Sequence, residues 1–131
     1  MAKVPPSADE WLAEAKAHES APRCGMYLLH NGTVRELPKK LVREGIDDGS
    51  KVAGMDFSYD AEGLEAAVAE ALTWEGIEYV RVWLNEGELS LGDDIMYVLI
   101  GGDIRPHVVD ALQGLVGKIK NELVSEVEVK A

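Results

Sequence analysis

The chain has 131 residues, 24 acidic against 13 basic side chains, a formal net charge of −11 and one cysteine. That length suits a single domain, residues 1–131, with a real core. The charge excludes nucleic acid and anionic membranes as natural partners, no stretch is long and apolar enough to span a bilayer, no secretion pattern is legible, and the lone Cys24 excludes an internal disulfide, so the expectation is a cytoplasmic protein.

Ser7 to Glu19 reads as a helix, with Ser7 and Glu10 at capping-box spacing and Trp11, Leu12 and Ala15 as its apolar stripe. Pro22 ends it. Gly25 to Arg35 reads as a strand in which Met26, Leu28 and His30 share one face and Tyr27, Leu29 and Asn31 the other. Gly32 marks a bulge or a close backbone approach. Residues 36–50 show no period. They carry Lys39, Lys40 and Arg43 and read as a mobile loop, of a length often used for binding.

Lys51 to Tyr59 is a second strand. Asp60 caps a helix running to about Trp74, buried through Leu64, Ala67, Val68, Ala71 and Leu72. Ile77 to Asn85 is a third strand, and Glu86-Gly87 turns the chain towards Gly92-Asp93-Asp94. Ile95 to Ile100 is then an unbroken apolar run, the pattern of a buried strand, which Gly101-Gly102-Asp103 is expected to break. Pro106 suits a first helical turn, and Val108, Val109, Leu112, Leu115, Val116 and Ile119 follow at helical spacing. Val124 to Lys130 alternates imperfectly and reads as an added edge strand. The order implies an α+β fold: a mainly antiparallel sheet with helices packed on one face.

No P-loop, dinucleotide-binding glycine pattern, nucleophile elbow or metal-ligand spacing is present. What stands out on so acidic a chain is its few cations: Arg35, Arg105, Lys118, Lys120 and the loop's Lys39, Lys40 and Arg43. Arg105 and His107 open a helix beside two glycines, where free backbone N–H groups and the helix dipole favour an anion. Such groups suit a phosphorylated small molecule or a carboxylate terminus.

The residues Gly32 to Arg35 (GTVR), then Val80 to Asp94 (VRVWLNEGELSLGDD), then the helix opening at Arg105 and running to Lys120, resemble the large, catalytic subunit of molybdopterin synthase. The resemblance covers about Met26 to Lys120. It implies that family's α/β-hammerhead type of fold and a homodimer that binds two copies of a ubiquitin-like small subunit. The small subunit's Gly-Gly tail carries a thiocarboxylate and delivers sulfur to cyclic pyranopterin monophosphate, two rounds making the dithiolene of molybdopterin. No cofactor and no resident metal are implied.

By the same resemblance, Arg35 and Arg105 match arginines that hold the substrate, and Lys120 matches the first of two active-site lysines. The histidine that precedes the family's second arginine is Ile104 here. The second lysine aligns near Val127, which leaves Lys130 as the candidate substitute. Lys39, Lys40, Lys118 and His107 are further candidates for phosphate binding. On one helix Arg105 and Lys120 would lie about 22 Å apart at about 1.5 Å per residue, too far for one small pterin. The expectation is therefore a composite site, with Arg105 of one chain near Lys120 of the other. Two other readings stay open: a non-catalytic homodimeric relative that binds a ubiquitin-like protein or phosphorylated ligand, and a structural or regulatory dimer without a ligand.

Overall fold

The computed structural model describes residues 2–131. Its order is α1 (Ala8–Ala17), β1 (Met26–Thr33), α2 (Lys39–Glu44), β2 (Val52–Tyr59), α3 (Ala61–Ala71), β3 (Ile77–Leu84), β4 (Gly87–Ser90), β5 (Asp94–Gly102), α4 (Arg105–Lys118) and β6 (Val124–Lys130), with a π-helical turn over Ile119–Leu123 between the last two. The α+β class holds, and every strand pairing is antiparallel.

The expected single sheet is instead two three-stranded sheets, ordered β1-β5-β3 and β4-β2-β6. The reason is pairing at long range. β6 does not extend the sheet of β5, its nearest preceding strand; it lies along β2, with Asp56 opposite Val127 and Tyr59 opposite Val124. Local alternation marks a strand but cannot name its neighbour.

Helices also cover both faces of the first sheet, not one. Met96, Val98 and Ile100 of β5 enter the main core with Val108, Ala111, Leu115 and Ile119 from the α4 side. Leu99 points the opposite way, against Trp11 and Ala15 of α1 and the rings of Tyr27, Tyr79, Trp83 and Tyr97. A strand buried on both faces must be apolar at consecutive positions, which is why residues 95–100 show no alternation.

The caps form as the side chains dictate. Ser7 Oγ accepts the Glu10 N–H at 3.3 Å, and Asp60 Oδ1 accepts the Gly63 N–H at 3.0 Å. β5 runs through Gly101 and Gly102, past the expected break. Those glycines do not open the backbone to a ligand, because protein fills the space. A Cβ on Gly101 would stand 2.7 Å from the Tyr27 ring, and one on Gly102 would stand 2.5 Å from the Gly76 carbonyl oxygen.

The expected loop at 36–50 contains α2, closed by Gly45 in the left-handed conformation at φ +71°. A helix this short has too few turns to show a period, and its anchor lies far away in sequence: Glu128 accepts the Lys39 N–H at 3.1 Å.

Candidate functional site

A cavity of about 310 Å³ opens at the seam between the two sheets, where β1 ends, β5 begins, and α2, β6 and the π-helical turn converge. Arg35, Lys39 and Lys120 line it together with His30, Glu126 and Glu128. Each arrives for a local reason. On β1, the two-residue alternation carries His30 onto the core face shared by Met26 and Leu28. The register of β1 against β5 then slips between Gly32 and Thr33, the bulge that Gly32 led us to expect, which redirects the chain leading to Arg35. Lys120 sits in the π-helical turn, just past the point where α4 stops being regular. Such turns are frequent at functional sites.

Glu126 organises the charges. Its side chain is only 5% exposed, 3.0 Å from Lys39 Nζ and 3.7 Å from Lys120 Nζ. A carboxylate this buried needs partners, and two flexible lysines are held in place by it. Glu126→Gln should therefore loosen α2 as well as the cavity. The expected results are faster amide exchange over residues 39–44 and a stability loss of about 1–2 kcal/mol in urea titration, modest because both ammonium groups keep access to water.

His30 is the second residue that sequence reasoning missed. Its Nε2 is buried without a hydrogen-bond partner. Burial, with a smaller contribution from the Lys120 charge, pushes its pKa below the ordinary histidine value. The unfolded chain takes up that proton more readily, so this group's contribution to stability is lost as pH falls below about 6.5. A polar residue on an otherwise apolar strand face was the available signal for His30. Glu126 gave none, since an acidic residue on an edge strand ordinarily faces water.

The other candidates lie elsewhere. Arg105 is exposed at the far end of α4 from Lys120, so one chain does not join them in one site. His107 Nδ1 lies 2.7 Å from Asp103 and its Nε2 3.7 Å from Glu75. The Asp103 hydrogen bond raises the pKa of His107, opposite in sign to His30, so its contribution is present at low pH and lost as pH rises through the raised value. The two acids occupy both ring nitrogens of His107, which leaves that side chain without a free donor for a ligand. Lys118 pairs with Glu70 of α3 at 3.0 Å, and Lys40 pairs with Asp48. Lys130 is exposed and lines a neighbouring groove with Lys39 and Lys40, outside the His30 cavity.

Fold and site together define an α+β domain that gathers scarce cations, with two glutamates, at a sheet seam. The chain belongs to the MoaE protein family, whose model matches residues 5–122. This membership gives it a role in molybdenum cofactor biosynthesis. Its fold is that of molybdopterin synthase from Staphylococcus aureus, with a TM-score of 0.73 at 18% identity over 98% of this chain and 88% of that one. The molybdopterin biosynthesis MoaE protein of Burkholderia ambifaria gives 0.71 at 21%, over 98% and 86%. A complex of subunits 1 and 2 of the molybdopterin-converting factor of Helicobacter pylori gives 0.65 at 15%, over 94% and 78%. No curated protein matches the chain. None of its helices among the described residues is long and apolar enough to cross a membrane.

Proposed function

We propose that this protein is the large subunit of a molybdopterin synthase, acting as one domain in the cytoplasm. It takes sulfur from the thiocarboxylated Gly-Gly tail of a ubiquitin-like small subunit and transfers it to cyclic pyranopterin monophosphate. The observation that carries this reading is the convergence of Arg35, Lys39 and Lys120 on one cavity of a chain whose net charge is −11. Arg35 anchors the phosphate, for which a guanidinium fork is suited. The thiocarboxylate sulfur bonds to a pterin carbon, displacing an oxygen, and water then attacks the acyl carbon; Lys120 stabilises the tetrahedral oxyanion so formed and the pterin thiolate that leaves as the tail becomes a carboxylate. As an amine, Lys120 is also placed to shuttle protons or attack the acyl carbon. Lys39 supplies a second ammonium, from a different element than the family's second lysine.

Arg105 joins the site from the other subunit of a homodimer, because α4 holds it a helix length away from Lys120 in its own chain. The test mixes the protein with thiocarboxylated small subunit and precursor and looks for dithiolene product. Absence of product with a correctly folded, small-subunit-bound protein would overturn the reaction. One observation favours a second reading, a non-catalytic homodimer that binds a ubiquitin-like protein or a phosphorylated ligand. Lys130, the candidate second lysine, stays outside the cavity. The same assay separates the two: binding without turnover selects the relative.

A further inference from the structure

We propose that His30 is itself a ligand contact, its Nε2 donating a hydrogen bond to the oxyanion, phosphate or terminal carboxylate, that enters among Arg35, Lys39 and Lys120. This deepens the reading above and rests on the same cavity. The geometry carries it. Buried side-chain nitrogens are almost always hydrogen-bonded, and leaving one unmatched is unfavourable. His30 Nε2 is the one buried side-chain polar atom without a partner among the described residues, and its ring lines the cavity where the cations meet. An apolar side chain would fill the same strand position without that cost. An unmet ring nitrogen in a cation-lined cavity, which donates as the Nε2–H tautomer and as the imidazolium, is explained by an acceptor that arrives with the ligand.

The groups facing the cavity also set how the contact depends on pH. Arg35 follows β1, Lys39 comes from α2, Lys120 from the π-helical turn, and Glu126 and Glu128 from β6. Glu126 already neutralises part of the two lysines. Without ligand, burial and Lys120 keep the imidazole neutral at pH 7. A bound oxyanion supplies the opposite charge and favours the imidazolium, so binding takes up a proton. Affinity for an anion of fixed charge should then rise as pH falls towards and below about 6.5.

The experiment titrates the protein with two probes whose charge is constant between about pH 5.5 and about pH 8: inorganic sulfate, for the phosphate end, and a short N-acetylated peptide of uncharged side chains ending in Gly-Gly, for the carboxylate end. Wild type, His30→Phe and His30→Gln are compared by calorimetry, and the His30 ring is followed by NMR. His30→Phe should weaken the probe that uses this contact about tenfold or more at low pH, the effect of one charge-assisted hydrogen bond. Glutamine, which keeps an N–H donor but does not titrate, should restore part of the affinity and none of the pH dependence. The His30 resonance should titrate at higher pH once the probe is bound. Which probe shows these effects identifies the occupant.

Equal affinity and an unchanged pH profile in both variants would overturn the assignment, as would failure of the wild type to bind either probe. If wild type and His30→Phe make dithiolene equally and bind alike, this assignment falls and the reaction stands. If wild type binds a probe through His30 but makes no dithiolene, the reaction falls and the contact stands.

Discussion

Lys120→Ala is expected to lower sulfur transfer by about two to three orders of magnitude, the loss typical when one preorganised charge is removed from a developing oxyanion. Dithiolene formation with thiocarboxylated small subunit measures it. The fold should survive. Lys120 keeps a quarter of its side-chain surface in water, at 25% exposure, and its only ion pair among the described residues is the long one to Glu126 at 3.7 Å. Glu126 retains the closer Lys39 at 3.0 Å, so no buried carboxylate is abandoned. Lys120→Arg adds a distinction. A guanidinium keeps the charge but cannot give up its proton or attack a carbon. Rescue by arginine would assign Lys120 a purely electrostatic role; no rescue would point to the amine itself. Full turnover in the alanine variant would remove Lys120 from the chemistry.

The largest expected effect on stability is at Gly102. This residue is buried in the central strand and pairs with Met26 on one side and Ile77 on the other. An added Cβ would meet the Gly76 carbonyl oxygen at 2.5 Å and Val108 Cγ2 at 2.8 Å. The first obstacle is backbone and cannot rotate away, so β3 or α4 must shift. Gly102→Ala should therefore cost about 2–4 kcal/mol, at the severe end for an overpacked core position. Urea denaturation reads that directly. Gly117→Ala, in α4 with nothing within 4 Å of the added carbon, provides the contrast. There alanine should be neutral or stabilising by up to about 1 kcal/mol, since only the helix preference of the backbone changes. A tolerated alanine at position 102 would contradict the packing of β5 against β3 and α4.

The two substitutions test different kinds of legibility. Gly101-Gly102 looks, as sequence, like a place where a ligand approaches the backbone beside Arg105 and His107. In the folded chain the Tyr27 ring and the Gly76 carbonyl occupy that space, and Asp103 and Glu75 take His107. Glycine reports that something comes close; it does not say whether that is a substrate or the protein's own next layer. Lys120 and Arg35 could be singled out because cations are scarce on this chain and because the surrounding residues resemble a known family. Lys39 was one cation of several in a segment without a period.

Residue order alone determined what is set within a few positions: the caps at Ser7 and Asp60, the apolar run of β5, the amphipathic α4, the bulge at Gly32 and the family. Capping, periodicity and steric freedom are short-range, so they can be read along the chain. Tertiary structure alone decided that β6 lies along β2, that α2 folds against β6, and that Glu126 is buried between Lys39 and Lys120 with His30 lining the same cavity. Those features depend on contacts that, apart from the one between Glu126 and Lys120, join residues scores of positions apart, and their energies exist only once the chain has brought them together.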